Sequence, residues 1–443
     1  MLEKNNPKTI KAWAFYDWAN SVYSLVISTA IFPIFYSKMT TETFPDGTES
    51  MNVTFLGRSF INTEIYSYVL SLSFLIVAAM SPFLSGIADY TGSKKKFMKF
   101  FCYLGSGSCA ALFFFNPAHL ELSLLFVLLA SVGFWGSLVF YNSFLLEIAT
   151  VDRHDEVSAK GFSYGYIGSS ILLIVILIII MMIDTTETKE STRYMFLLVA
   201  VWWAGFAQVT YRALPDNVYE RTPGDTFLWK GYEELKKVLV ELRPQVNLKR
   251  FLRSFFVYSM GVQTVMVMAV LFAKKEIDWG GDGDSSLIIS VLIIQFVAVA
   301  GAYLFAKLSS KIGNIAVLII ALAIWVGICI AAYFIQTSTE FYILAGFVGL
   351  VMGGIQSLSR STYSKLLPQT KDHASYFSFY DVVEKLGIVI GTFLFGAIEG
   401  YTESMRNSAL VLLSFFLIGG ILLLFVKNED KLSATKHIIP SNE

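Results

Sequence analysis

Charged residues are scarce in this chain, and their scarcity excludes a water-soluble fold. Only 15% of the 443 residues are charged, 55% are hydrophobic, and the formal net charge is zero. Soluble domains contain about 25% charged residues. A chain with so few cannot hide its apolar surface from water, so we expect it to be embedded in a lipid bilayer. The zero net charge also argues against binding to nucleic acid.

Cysteine and histidine are rarer still. The three cysteines lie in apolar segments, at spacings that indicate neither a disulfide framework nor a metal-binding pair. The four histidines fall in predicted loops or in the C-terminal tail. We therefore expect no bound metal ion and no cofactor. The sequence contains no phosphate-binding loop, zinc-protease motif or nucleophile elbow, which argues against ATP-driven transport and against an enzyme.

Long apolar runs are what the sequence does contain. A helix that spans a bilayer needs about 20 predominantly apolar residues. Twelve runs of this kind lie near 12–37, 65–84, 97–115, 122–146, 161–183, 194–213, 251–273, 286–308, 315–335, 341–363, 376–398 and 407–426. The sequence therefore predicts an all-α membrane protein with twelve transmembrane helices.

The connections between the runs predict the organisation of the chain. Most lysines and arginines fall in alternate connections, and the tendency of basic loops to stay inside places both termini in the cytoplasm. The longest connection divides the helices six and six, and its amphipathic segment predicts a helix on the membrane surface. The predicted parts are a six-helix bundle over 1–213, a cytoplasmic linker over 214–250, a second six-helix bundle over 251–428 and a cytoplasmic tail over 429–443.

The two halves contain related segments. DWANS (17–21) in the first predicted helix corresponds to MGVQT (260–264) in the seventh, so that Asn20 matches Gln263. The loop DYTGSKKK (89–96) corresponds to SKIGN (310–314) at an offset of similar size. Repeats in parallel orientation are typical of transporters built from two bundles. We therefore predict two pseudo-repeated six-helix bundles.

Polar side chains recur at helical spacing in predicted helices 1, 4, 7 and 10. Contact of such polar side chains with lipid is energetically unfavourable, so we expect the four helices to surround an aqueous cavity. Hydrogen bonding between packed helices is the alternative, and for a single serine or threonine it is the better explanation. The candidates for substrate contact or coupling on these helices are Asp17, Asn20, Glu147, Gln263, Gln356 and Arg360.

Three further charges, Asp381, Glu384 and Lys385, lie together in predicted helix 11. Asp381 and Lys385 are four residues apart and can pair along the helix. Glu384 then needs a proton, a cation or a basic partner, and Arg360 on the preceding helix is the nearest candidate in sequence. Such a carboxylate suits proton coupling, because an approaching cation changes its affinity for a proton. The alternative is that Glu384 or Lys385 extends to the membrane surface.

Several strings carry a family resemblance. SGIADYTGSKKK (85–96) resembles the signature loop of the major facilitator superfamily. The "unknown major facilitator" family, which is related to fungal vacuolar amino-acid effluxers, has strings similar to FYDWANSVYS, FYNSFLLEIA, VSAKGFSYGYIGS, GGIQSLSRSTYSKLLP and FYDVVEKLG. The resemblance implies a two-bundle fold, alternating access, a monomer, and amino acids or similar metabolites as substrates.

The signature loop also implies an inner gate formed by Asp89, Gly92, Lys94 and Lys95, in which Asp89 latches against helix 11. An acid at a helix end can dock on the positive N-terminus of another helix, and glycine permits a tight turn. The chain departs from the family at two positions. Met260 stands where relatives tend to carry an aspartate, and Ser310 replaces the acid of the second, degenerate loop.

These features predict a secondary active transporter in the plasma (inner) membrane. It is expected to move a small polar solute by alternating access, with coupling to protons through the intramembrane carboxylates. The expected partners are a small-molecule substrate, protons and the lipid bilayer. Two other functions stay open at this point: a transport-inactive receptor or scaffold, and a membrane protein that handles lipids.

Overall fold

The computed structural model describes residues 3–44, 49–182, 188–217, 227–279, 283–402 and 404–427. The predicted tail over 429–443 lies outside these ranges. Within them the chain is almost entirely helical. In the described part of the linker, Phe227–Leu242 forms a helix, which is called the linker helix below.

Six long helices make up the first half. α1 consists of Pro7–Val22, a π-helical stretch Tyr23–Ala30 and a last segment Phe32–Thr40. The others are α2 (Asn62–Thr91), α3 (Lys94–Ala111), α4 (Leu120–Ser143), α5 (His154–Met182) and α6 (Thr188–Ala213). Two antiparallel hairpins follow α1: β1 (Glu42–Thr43) pairs with β2 (Glu49–Ser50), and β3 (Asn52–Phe55) pairs with β4 (Arg58–Ile61).

Six long helices also make up the second half. They are α7 (Val246–Glu276), α8 (Gly283–Ile312), α9 (Asn314–Phe334), α10 (Ser338–Leu366), α11 (His373–Thr402) and α12 (Met405–Leu423). Across the described residues, 11 helices are long and apolar enough to cross a membrane. α11 is not among them although it has 30 residues, and it carries four charged side chains, Asp381, Glu384, Lys385 and Glu399.

Each half has its own hydrophobic core. In the first, Trp13 and Tyr141 stack with their ring centroids 4.5 Å apart. In the second, Trp325 and Phe416 stack at 5.1 Å. The halves meet mainly along α2 with α11 and α5 with α8, and α5 also packs on α10 while α4 packs on α11. The prediction of an all-α membrane protein is therefore confirmed, and 11 of the twelve predicted spans are, in the described residues, long and apolar enough to cross a membrane.

A pair of arginines shows the internal repeat at atomic detail. Arg193, near the start of α6, donates hydrogen bonds to the carbonyl oxygens of Phe113 and Phe115, just past α3. Arg406, at the start of α12, donates to those of Tyr333 and Ile335, at the end of α9. Both arginines satisfy carbonyls that a helix end leaves without intrahelical partners. The two arginines do not belong to the related segments identified in the sequence.

The loop between α2 and α3, the residues between α4 and α5, and the linker helix lie on one side of the molecule, called the linker side below. The linker helix packs on α2 and contacts the first turns of α11. Lys237 donates a 2.9 Å hydrogen bond to Asp372, and Val238 is buried. The amphipathic helix predicted in the linker therefore covers the junction between the two halves.

Candidate functional site

A cavity of about 140 Å³ lies between the two bundles. Helices of both halves line it, including the four on which polar stripes were identified. The sequence-predicted candidates at its wall are Asp17, Asn20, Gln263, Gln356, Arg360 and Glu384. The structure thus brings six of the predicted side chains around one space, while Glu147, Asp381 and Lys385 are not part of its lining.

Arg360 joins the two halves at the cavity. It comes from α10 and is only 3% exposed. Its Nε donates to the Ser158 hydroxyl at 2.9 Å and its Nη2 donates to the Ser158 carbonyl at 2.8 Å. Its Nη1 donates to Asn142 at 3.1 Å and lies 3.5 Å from Oδ2 of Asp17. One side chain of the second half is therefore held by α1, α4 and α5 of the first.

Asp17 and Arg360 are packed closely by aromatic and glycine residues. The Tyr141 hydroxyl donates a 2.7 Å hydrogen bond to Oδ2 of Asp17. The guanidinium carbon of Arg360 lies 4.2 Å from the ring centroid of Phe162, which favours a cation–π interaction. A Cβ atom at Gly161 would lie 2.7 Å from Asp17 and 2.8 Å from Arg360. Glycine at this position lets α5 approach the ion pair.

The charges of α11 form a second cluster. Nζ of Lys385 lies 2.9 Å from Asp381 and 2.8 Å from Oε2 of Glu384, so one cation is shared by two carboxylates. Gln263 on α7 donates a 2.9 Å hydrogen bond to Oε1 of Glu384. These partners differ from the expected one, because Arg360 pairs with Asp17 and not with Glu384.

This α11 cluster also reaches the first half. The ring centroid of Trp135 on α4 lies 3.8 Å from Nζ of Lys385, and Ser81 on α2 donates to Asp381 at 3.4 Å. The side chain of Lys385 is fully buried, which is inconsistent with its extension to the membrane surface. Glu384 is partly exposed and faces the cavity, whereas Asp381 and Lys385 lie behind it.

Amide side chains complete the polar wall. The Tyr166 hydroxyl donates to Oε1 of Gln356, and Nε2 of Gln356 donates to the sulfur of Met266 at 3.0 Å. Among the described residues, Nδ2 of Asn20 and Oε1 of Gln295 have no hydrogen-bond partner. Gln295 on α8 was not predicted, because an isolated amide in an apolar run does not form a polar stripe. Buried polar atoms without partners are costly, so a bound solute would gain by pairing with them.

Glu147 lies at the linker side and not at the cavity. Nζ of Lys94 is 2.5 Å from Glu147 and 3.2 Å from Asp89, and His373 of α11 lies 3.3 Å from Glu147. The carboxylate of Asp89 accepts hydrogen bonds from the amides of Ala374 and Ser375 at the start of α11. The predicted gate residue Asp89 of the first half thus holds the first turn of a helix of the second.

The other predicted gate residues support this arrangement. Gly92 ends α2 in the left-handed region with φ of 67°, which favours glycine. Lys95 donates to the Leu214 carbonyl at 2.6 Å and pairs with Asp216 at 3.1 Å. These contacts fasten the α2–α3 loop to the segment that follows α6.

A second contact between the halves lies on the linker side and was not predicted. Asp155, at the start of α5, pairs with Lys365 of α10 at 2.6 Å. Its carboxylate also accepts hydrogen bonds from Asn314 at 2.7 Å and Ser309 at 3.0 Å, which flank the α8–α9 loop. Ser310 stands where the family signature has an acid. Asp155 of the opposite half places a carboxylate at this loop instead. No cluster of three or more metal-binding side chains occurs in the described ranges.

Comparison with known sequences gives a consistent result over nearly the whole chain. The sequence matches the protein family described as "Vacuole effluxer Atg22 like" over residues 5–154 and 146–436. It is 32% identical over 433 residues to the "Uncharacterized MFS-type transporter YxiO" of Bacillus subtilis, covering 97% of each chain. It is 25% identical over 460 residues to "Autophagy-related protein 22" of Kluyveromyces lactis, covering 93% of this chain and 92% of that relative.

Solved structures show the same architecture. The major facilitator superfamily transporter FucP in its outward conformation superimposes with a TM-score of 0.69 at 14% identity, covering 96% of this chain and 99% of FucP. The proton:xylose symporter XylE gives a TM-score of 0.67 at 13% identity, covering 95% of this chain and 94% of XylE. At these identities the likeness concerns the fold alone.

Proposed function

Because the chain belongs to the Atg22-like vacuole effluxer family and is a major facilitator transporter, not an enzyme, we propose that it moves a small polar solute across a membrane by alternating access. In this proposal the solute binds in the cavity between the bundles. Asp17, Asn20, Gln263, Gln356 and Arg360 contact it, and Glu384 couples its movement to that of a proton.

The contact of Arg360 with α1, α4 and α5 is the observation that carries this proposal. A buried guanidinium is costly unless its charge and its hydrogen bonds are satisfied. Here the partners belong to the opposite bundle, so the free energy of the side chain depends on how the two bundles are placed. A solute that competes for Asp17 or Arg360 changes that free energy, which is the differential interaction that a conformational switch requires.

The linker-side contacts supply the other element of alternating access. Asp89 and Asp155 each tie one bundle to the other on the same side of the cavity. The structure thus corresponds to a state that is closed on the linker side. We propose that the protein lies in the plasma membrane with its linker side facing the cytoplasm. The distribution of basic residues agrees with this orientation. The two halves of the cavity come from one chain, which is consistent with a functional monomer.

Proton coupling is assigned to the α11 cluster. Lys385 cannot neutralise both Asp381 and Glu384, and of the two carboxylates Glu384 is the one at the cavity wall. A proton that binds there is exchanged with solution when the cavity is accessible. Amino acids and similar small metabolites are the first solutes to test, since the family resemblance implies them.

The test is an uptake screen with the purified full chain in proteoliposomes, with and without a pH gradient. We expect at least one small polar solute to accumulate in response to the gradient. Glu384→Gln should abolish the response to pH, and Asp381→Asn should weaken it. Unchanged gradient-driven uptake in both variants would contradict the coupling role. Glu399→Gln, which alters an acid of α11 paired with Lys275 outside the cavity, is the matched control.

A screen without any transported solute would favour a receptor or scaffold. Movement of fluorescent lipid between the leaflets of the same vesicles would favour the lipid-handling function. Both outcomes are distinguishable from solute transport in one preparation.

A further inference from the structure

The linker helix lies on the side of α2 that faces the bilayer. α2 is long and apolar enough to cross the membrane, and one of its faces exposes large apolar side chains: Tyr68, Leu72, Leu75 and Phe83. Gly86 lies one turn beyond Phe83 on the same face, and there Gly231 of the linker helix packs on it. The linker helix therefore occupies a surface that lipid covers along the rest of α2.

This contact lies close to the surface of the membrane. Gly86 comes five residues before Thr91, the last residue of α2, which corresponds to roughly 8 Å along the helix axis. The headgroup region of each leaflet is about 5–8 Å thick. Further along the linker helix, Lys237 donates a hydrogen bond to Asp372, just before α11 begins. The helix thus crosses the ends of α2 and α11 at the level where acyl chains meet headgroups.

The face of the linker helix that points away from α2 carries large exposed side chains. Trp229 is 65% exposed, Tyr232 is 49% exposed and Val240 is 53% exposed, and Leu239 is exposed to a similar extent. Spacings of three, seven and eleven positions place these residues on one side of the helix. Exposed apolar patches mark interaction surfaces, and tryptophan and tyrosine are enriched where a protein meets lipid headgroups.

Basic side chains extend from the same face. Lys236 and Arg243 are exposed, each four residues beyond one of the large side chains, and they outnumber the exposed acid Glu233. Long basic side chains can keep their stems on apolar surface while their charged ends reach phosphate groups. Aromatic and apolar residues interleaved with basic ones are typical of a helix that lies in the plane of an anionic membrane surface.

We propose that this outward face of the linker helix binds anionic phospholipid headgroups in the leaflet on the linker side. The four large side chains enter the headgroup layer, and Lys236 and Arg243 bind the phosphates. Because the same helix is fastened to α2 and to the start of α11, bound lipid holds it over the contact between the two halves. The inference does not depend on which solute the protein moves.

Amide exchange in Phe227–Leu242 measures how firmly the linker helix is held. The purified full chain is placed, one copy per nanodisc, in phosphatidylcholine or in a mixture of phosphatidylcholine and phosphatidylglycerol. We expect exchange to be at least about fivefold slower in the mixture, because basic side chains are attracted to an anionic surface. The difference should disappear in about 1 M salt, which screens that attraction.

Variants locate the binding face. Lys236→Gln/Arg243→Gln should abolish the slowing by phosphatidylglycerol. Lys307→Gln/Lys311→Gln, which removes two exposed lysines at the linker-side end of α8, is the matched control and should retain it. Trp229→Ser should speed exchange in both lipids, because its contact does not depend on the charge of the headgroup. Unchanged exchange in α9 shows that a variant keeps its fold.

Three results would overturn the proposal. The first is equal exchange in the two lipids, or slowing that persists in Lys236→Gln/Arg243→Gln. The second is equal slowing by soluble glycerol phosphate in phosphatidylcholine nanodiscs, which would assign the face to free phosphate. The third is slowing that requires two copies in one nanodisc, which would assign it to a contact between copies. None of these readouts requires transport, so they test the lipid-binding face separately from the proposed function.

Discussion

Gly86 of α2 and Gly231 of the linker helix touch through their backbones. A Cβ atom added to Gly86 would collide with the carbonyl oxygen of Gly231, and one added to Gly231 would collide with Ile87. No side chain separates the two helices here, so the linker helix is seated directly on the helix that carries Asp89. The linker helix therefore packs directly against the end of α2 that carries the predicted gate residue Asp89.

Substitution of Gly86 by alanine is expected to displace the linker helix. The colliding atom belongs to a backbone, which cannot move aside as a flexible side chain can. Overpacking of this kind costs about 1–3 kcal/mol. We expect a lower midpoint of thermal unfolding and faster amide exchange in Phe227–Leu242. Gly205→Ala is the control, because a Cβ atom there meets nothing within 4 Å. Equal exchange in both variants would argue against the seating contact.

Substitution of Asp89 by alanine is expected to open the linker side. It removes the acceptor of the Ala374 and Ser375 amides, and loss of such a helix cap costs about 0.5–2 kcal/mol. Spin labels on the exposed positions Asp152 and Lys311, one in each half, should report longer distances in the Asp89→Ala variant.

The control for this measurement is Asp216→Asn. Asp216 also pairs with a lysine, Lys95 in the first turn of α3, but its side chain is 74% exposed, and exposed pairs contribute little. An unchanged distance distribution in Asp89→Ala would show that the cap does not hold the gate.

Arg360 and Asp17 should show strong coupling in a double-mutant cycle. Arg360→Met leaves Asp17 as a buried charge without its basic partner, and breaking such a pair costs about 3–5 kcal/mol. Adding Asp17→Asn removes the unpaired charge, so the double variant should be more stable than the sum of the two single effects predicts. Thermal and denaturant unfolding measure the cycle. Lys275→Met, which breaks the more exposed pair with Glu399, should lower the free energy of unfolding much less. Strictly additive effects of Arg360→Met and Asp17→Asn would refute the pairing.

The docking of the linker helix should depend on pH through Glu234. Burial, followed by the neighbouring carboxylate of Asp372, raises the pKa of Glu234 above its ordinary value of 4.5. A carboxyl group with a raised pKa in the folded state stabilises that state most fully below pH 4.5, and this contribution is lost as the pH rises through the raised pKa.

Thermal unfolding should therefore detect a stabilising contribution in the wild type at about pH 4.5 that is absent at about pH 7. Glu234→Gln should flatten this part of the profile, because its amide does not titrate. Glu156→Gln, at an exposed acid near the start of α5, should leave the profile as it is. A profile unchanged by Glu234→Gln would assign the pH dependence to another group.

The sequence predicted those features that depend on the periodicity of a single helix or on contact with the bilayer. Lipid requires long apolar helices, so hydropathy alone identified the helical architecture. Helical periodicity placed Asp381 beside Lys385, and these side chains lie 2.9 Å apart. Periodicity does not give depth, however. Glu147 shares a polar stripe with Asn142 in the sequence, but α4 ends at Ser143, and Glu147 lies beyond that end on the linker side, beside the predicted gate residues Asp89 and Lys94.

Contacts between the bundles could not be predicted in the same way. The choice of Asp17 over Glu384 as the partner of Arg360 depends on how far each helix is rotated and how the two halves are docked. No sequence pattern indicated the contacts of Asp155, because its partners lie on α10 and at the α8–α9 loop, more than 150 positions away in sequence. Gln295 lacked a neighbouring polar residue that would have marked its face of α8.

The two arginines at the starts of α6 and α12 have a consequence for the history of the chain. Arg193 and Arg406 each donate hydrogen bonds to two carbonyl oxygens at the end of the third helix of their half. The residues around the two arginines have little in common. If the halves descend from one duplicated gene, the two copies share a guanidinium that satisfies the carbonyl oxygens at the end of the third helix, although the neighbouring residues differ. The relationship between the halves is then easier to detect from the carbonyl oxygens that each arginine binds than from the residues beside it in the sequence.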